Sequence, residues 1–201
     1  LKFVLLNIAF ALLVFAAANP QYGTSVGKKE RRGTDLVICL DISNSMLAED
    51  LKPNRISRAK QSINQLINQL KGDRIGLVVF AGTSFVQLPI TSDYSAAKTF
   101  IDVISPEMIT TQGTAIGESL QTAFSAFGQD ENAKRSRSIV LISDGEDNEK
   151  DALKIAKDIA AEGVVINTIG LGLGEGSPIP IKNRNGQTEY KRDRLGNIVL
   201  T

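Results

Sequence analysis

No histidine occurs anywhere in the 201 residues. That absence removes Ser-His-Asp and Cys-His nucleophile systems, imidazole general bases and every His-ligated metal site. Cysteine is present once, as Cys39, so neither an internal disulfide nor a thiolate zinc site can form. Tryptophan is missing and aromatics make up 5% of the chain, too few for a base-stacking or sugar-stacking platform. A surplus of one charge is lacking as well. Lys+Arg number 23 against 22 Asp+Glu, a formal net charge of +1, whereas a dedicated nucleic-acid binder needs a large basic excess. Hydrophobic residues at 42% and charged residues at 22% are near globular averages and exclude wholesale disorder. What remains for chemistry is carboxylates, hydroxyls, amides and cations. The length suits one ordinary domain, or one domain plus an appendage.

The first stretch stands apart. Between Phe3 and Ala18 the only polar residue is Asn7. A helix over residues 1–18 would be about 27 Å long, just short of a ~30 Å hydrocarbon core. The sequence opens on Leu1 rather than Met, as expected of a segment whose upstream residues have been lost or cut. Apolarity on all sides favours a membrane span missing its first turn. Two alternatives stand beside it: a signal-peptide hydrophobic region with Ala16-Ala17-Ala18 as cleavage site, and a buried core helix. Residues 19–33 read as a linker, with Pro20, Gly23, Gly27 and Gly33 and no apolar period. Within it, Lys28-Lys-Glu-Arg-Arg32 is either a solvated charge run or, by the positive-inside rule, a hint of the cytoplasmic side.

From Thr34 strands and helices alternate. Leu36–Leu40, Ile75–Phe80, Ile139–Ile142 and Val164–Ile169 are continuous apolar runs, the mark of strands buried on both faces. Phe85–Leu88 predicts a short returning strand after Gly82. Helices are predicted from Pro53 to Leu70, from a Ser92 cap to about Ile104, from Ala115 to about Phe127, and over 152–161. The order implies an α/β fold: a doubly wound, mostly parallel sheet with one antiparallel edge strand. The body would end near residue 172. In 173–201, Asn185-Gly186 and Gly196-Asn197 are hairpin signals, predicting a small β appendage that stops inside a strand at Thr201. No internal repeat is visible.

In an open parallel sheet, ligands bind beyond the carboxyl ends of the strands. Asp41-Ile-Ser43-Asn-Ser45 follows the first such strand. Ser143-Asp144-Gly145 follows another, and Thr111-Gln-Gly113-Thr114 stands before a helix. All three belong on one rim. Alternation in Asp-x-Ser-x-Ser sends Asp41, Ser43 and Ser45 to one side of an extended turn. With Thr114 and Asp144 they form an all-oxygen set of two carboxylates and three hydroxyls. Such a set suits a hard cation: Mg²⁺ first, with Mn²⁺ or Ca²⁺ as alternatives. The same residues could instead be caps and turns, with Asp41, Ser45 and Thr114 capping helices and Asp144 making an Asx turn.

On these residues the chain resembles a von Willebrand factor A domain from Thr34 to about Gly172. Asp41, Ser43, Ser45, Thr114 and Asp144 match every part of that family's metal-ion-dependent adhesion site. The resemblance implies that the hydroxyls and aspartates hold a metal directly or through water, and that a partner protein's carboxylate completes the octahedron. Ser45–Arg55, Gly72–Gly82 and Gln87–Ala97 look like the Bat aerotolerance proteins, and the hydrophobic start, Pro20 and Ser177–Ile181 resemble the BatB type. Those are bacterial membrane-anchored A-domain proteins, often encoded beside MoxR-type ATPases. The likeness implies a non-enzymatic protein of the bacterial inner membrane. Its expected partners are an acidic protein segment, other Bat proteins and a MoxR-type ATPase, with no nucleic acid. It also implies that this sequence is part of a longer chain with further spans before and after. By that likeness the A domain faces the periplasm, against the reading of Lys28–Arg32.

The rival from another class is a metal-dependent hydrolase or phosphotransferase on the same rim, for which Glu146 or Asp147 would have to supply the base. More plainly, those two residues cap the next helix. Gly170–Gly176 lacks a dinucleotide-binding glycine triplet, and Gly23–Lys28 has three residues between its glycines where a P-loop has four. Cys39 is expected as a small core residue.

Overall fold

The computed structural model describes residues 2–17, 33–128, 135–145, 151–174, 176–182, 188–193 and 195–201. The chain forms two compact units, residues 1–31 and residues 32–201.

In the first unit, α1 runs over Lys2–Ala17, and none of its residues is buried. Asn7 hides its polarity by donating its amide to the Phe3 carbonyl one turn back (2.9 Å). The 16 residues make a rod of about 24 Å at 1.5 Å each. Among the described residues, no helix is long and apolar enough to cross a membrane. The sequence reading expects a span missing its first turn, and α1 on its own, at about 24 Å, is likewise shorter than a ~30 Å hydrocarbon core. The predicted linker, including Lys28–Arg32, lies outside the described residues apart from Gly33.

In the second unit, five strands form one sheet: β1 (Thr34–Asp41), β2 (Arg74–Phe80), β3 (Ser84–Thr91), β4 (Ser136–Ser143) and β5 (Val164–Gly170). Their order is β3-β2-β1-β4-β5. All neighbours are parallel except the β2–β3 pair. The expected architecture is present, with β1 central and β3 the antiparallel edge. β3 is longer than Phe85–Leu88, because pairing with β2 continues through Thr91 across two register irregularities.

Alternation along β1 divides the core. Leu36, Ile38 and Leu40 face one layer, with α2 (Arg55–Gln69) and α3 (Tyr94–Asp102). Val37 and Cys39 face the other, with α4 (Ile116–Ala126) and α5 (Ala152–Ala161). Cys39 is fully buried, and that burial pushes its thiol up to about 12, so it is the inert core residue expected. Two helix starts move by a residue or two. Asn54 caps α2 by accepting from the Ser57 amide (2.9 Å), so Pro53 precedes the helix. Asp93, not Ser92, caps α3, because its carboxylate reaches the Ser95 and Ala96 amides (both 3.0 Å).

The β appendage is present. β6 (Pro180–Lys182) pairs antiparallel with β7 (Thr188–Tyr190), and bridges Arg192–Ile198 and Pro178–Leu200 extend the ribbon. Asp193 builds the Gly196-Asn197 turn by accepting from the Leu195 and Asn197 amides (2.8 and 2.9 Å). Asn185-Gly186 lies outside the described residues. Ile179 is buried, and Thr201 pairs with Ser177 through both backbone groups (3.0 and 3.1 Å).

Candidate metal centre

Asp41 is the last residue of β1, where the central strand leaves the sheet at its carboxyl edge. It is fully buried. One carboxylate oxygen accepts the Ser43 amide (2.9 Å), turning the chain sharply, and the other accepts the Ser143 hydroxyl from the end of β4 (2.8 Å). The turn continues as a short 3₁₀ helix over Asn44–Leu47. It brings the Ser43 and Ser45 hydroxyls within 2.8 Å of each other. Burial raises the Asp41 carboxyl to about 6 against these hydrogen bonds, and the charge of Asp144 adds to the rise. A carboxylate held this way is stabilised by a cation.

Thr114 arrives on a second loop. The Gly82 amide donates to the Thr111 carbonyl (3.0 Å) and the Ala115 amide to the Ala81 carbonyl (2.7 Å), pinning the loop to the end of β2. A Cβ on Gly82 would come within 2.8 Å of the Thr111 and Gln112 carbonyl oxygens, so the approach requires glycine. Gln112 ties this loop to the first by accepting the Asn44 amide (3.2 Å). Thr114 is buried, and the cap of α4 falls on Ala115, which makes no side-chain cap bond. Thr114 therefore does not cap the helix.

Ser43, Ser45 and Thr114 line one cleft of about 210 Å³. Asp41 lies behind it through its bond to the Ser43 amide. Asp144 is placed differently. Its side chain, 1% exposed, accepts Arg55 Nη1 (3.0 Å) and the Thr201 hydroxyl (3.3 Å) beside a neighbouring cleft lined by Gly170–Gly174. In the loop after β4 the Gly145 amide donates to the Ser143 hydroxyl (3.1 Å); the amide that an Asx turn at Asp144 would use, that of residue 146, lies outside the described residues. Glu146 and Asp147 lie outside the described residues.

The sequence reading missed five residues. Arg55 is the first residue of α2 and 2% exposed, yet it holds Asp144 and also forks onto Asp50 (2.8–3.2 Å). A signal existed: a cation at a helix N-terminus opposes the helix dipole and calls for carboxylate partners. Ser143 was read only as a neighbour of Asp144. From the appendage, Ile179, Lys191 and Val199 complete the wall of the cleft, a juxtaposition that no local pattern carries.

The donor chemistry fits a hard divalent cation. Two aspartates bring charge, three neutral hydroxyls bring oxygen, and no soft ligand is among them. Among the described residues, no group of three or more acidic, histidine or cysteine side chains is arranged to hold a metal, so any ion here would depend on the hydroxyls.

Comparison with known proteins agrees with this architecture. The model of the von Willebrand factor type A domain matches residues 36–146. The chain belongs to the von Willebrand factor type A family. The chain is similar to BatB of Bacteroides thetaiotaomicron, at 46% identity and TM-score 0.79 over 84% of this chain and 80% of that one. An aerotolerance-related membrane protein of Bacteroides fragilis is equally alike, at 46% identity and TM-score 0.78 over 84% and 81%. A UPF0353 protein of Nocardia farcinica is 33% identical over 95% of this chain and 59% of its own length. The chain thus spans little more than half of the curated relatives it matches.

Proposed function

We propose that Asp41, Ser43, Ser45, Thr114 and Asp144 hold a hard divalent cation, Mg²⁺ first with Mn²⁺ or Ca²⁺ as alternatives, and that this ion captures an acidic side chain of a partner protein. The supporting observation is the cleft that gathers the Ser43, Ser45 and Thr114 hydroxyls with the buried Asp41 carboxylate directly behind them. Two carboxylates supply enough charge to hold the ion and too little to quench its pull on an incoming anion. We read the site as binding rather than catalytic. Asp41 is bound by Ser43 and Ser143, and Asp144 by Arg55, so neither stands ready as the base a hydrolase needs.

The likeness to an aerotolerance-related membrane protein supports attachment to a membrane. We read that membrane as the bacterial inner membrane, with α1 contributing and the A domain on the periplasmic side. In this reading the protein works in a Bat-type complex with related A-domain proteins and a MoxR-type ATPase. The test is capture of partners from detergent extracts in Mg²⁺ and in EDTA, with wild type beside Thr114→Val. The substitution removes a hydroxyl at nearly constant size. We expect a partner retained by wild type in Mg²⁺, lost in EDTA and weakened by Thr114→Val. Equal capture by both proteins in Mg²⁺ and EDTA would refute the metal bridge.

A further inference from the structure

We propose that the β appendage is the second wall of the recognition cleft, with Lys191 reading a second acidic group on the partner beside the one that reaches the metal. This rests on the metal-bridge reading above.

The appendage is docked, not trailing. Ile179 is 2% exposed, and Thr201 reaches Arg55, donating its hydroxyl to Asp144 and accepting Arg55 Nη2 at its carbonyl (3.3 Å each). Its backbone is fixed at Lys191 from both sides. The Lys191 amide donates to the Ile179 carbonyl, and the Lys191 carbonyl accepts the Val199 amide (2.9 Å each). Lys191 therefore lines the same cleft as Ser43, Ser45 and Thr114 on a rigid ribbon rather than on a free loop.

Lys191 is half-buried and forms no ion pair among the described residues. A cation held at the mouth of a cleft without a carboxylate partner is arranged for an anion that arrives from outside. Charge distribution agrees. Between residues 178 and 201 there are five basic and two acidic residues, while the rest of the chain is slightly acidic. The chemistry expected of the partner is a short segment with two carboxylates, one for the metal and one for Lys191, and an apolar flank against the half-buried Val199.

The probes are fluorescently labelled, capped hexapeptides of Gly and Ser. One carries a single Asp, and a series carries Asp followed by Glu at one to four residues' distance. Fluorescence polarisation on the full chain in Mg²⁺ and in EDTA is measured for wild type, Lys191→Met and Lys191→Arg. In Mg²⁺ we expect the best two-carboxylate peptide to bind wild type about tenfold more tightly than the single-Asp peptide, the worth of one charge-assisted hydrogen bond. Lys191→Met should erase that preference, weakening the two-carboxylate peptide about tenfold more than the single-Asp peptide, and Lys191→Arg should restore most of it. If Lys191→Met keeps the preference, or strengthens both peptides alike, Lys191 is only a steric wall and the proposal falls alone. If no peptide binds wild type in a Mg²⁺-dependent way, the metal-bridge reading fails and takes this proposal with it.

Discussion

Arg55 shows how much a single residue can matter here. Its guanidinium forks onto Asp50 and reaches Asp144, and all three side chains are 5% exposed or less. Removing the cation would take from two buried carboxylates the guanidinium that neutralises them. Breaking a buried pair in this way typically costs about 3–5 kcal/mol, far more than the lost attraction of a surface pair. We therefore expect Arg55→Met to lower unfolding stability by roughly that amount in urea. A loss below ~1 kcal/mol would show that Asp50 and Asp144 find other partners, and that Arg55 does not hold the Asp144 carboxylate in place.

At the scale of elements, what could be read in the sequence was what local chemistry writes. Four apolar runs announced β1, β2, β4 and β5, and the Asp41-x-Ser43-x-Ser45 alternation announced the turn that gathers them. The helix starts shifted because Asn54 and Asp93, each one residue along from the expected boundary, carry the better-placed oxygen. α1 takes up 16 of the 18 residues of the apolar run read as a truncated span. Long-range juxtapositions left no local trace. Asp144 meets Arg55 across 89 positions, and Thr201 meets it across 146. Lys191 reaches the Ser43–Thr114 cleft only because the Ile179 carbonyl fixes the ribbon there. The appendage was legible as a hairpin from Gly196-Asn197, but its position over the rim was not.

For the whole molecule, two carboxylate clusters at opposite ends of the sheet set the acid limit. At the carboxyl end, the hydrogen bonds from Arg55 hold Asp50 down to about 2. At the amino end, burial would raise Asp35, but hydrogen bonds from Arg74 and Arg135 (2.6–2.8 Å) outweigh it and hold the carboxyl below its ordinary value. Both groups bind protons more weakly folded than unfolded. Their contribution is complete above the unfolded value of about 4 and is lost as pH falls toward 2, on the order of 2 kcal/mol for Asp50. Thermal melts between pH 5 and 2 should fall steeply, and Asp50→Asn should flatten part of that fall. An unchanged slope would mean that Asp50 is not held by Arg55 in solution.

The claim on which the functional account rests is that this rim binds one hard cation through its hydroxyls. Electron paramagnetic resonance of Mn²⁺ titrated into the full chain tests it most directly. We expect one Mn²⁺ per chain, displaced by Mg²⁺, with affinity falling about tenfold or more in Thr114→Val, as loss of one charge-assisted contact implies. Absence of bound Mn²⁺ in wild type, or equal affinity in Thr114→Val, would contradict it.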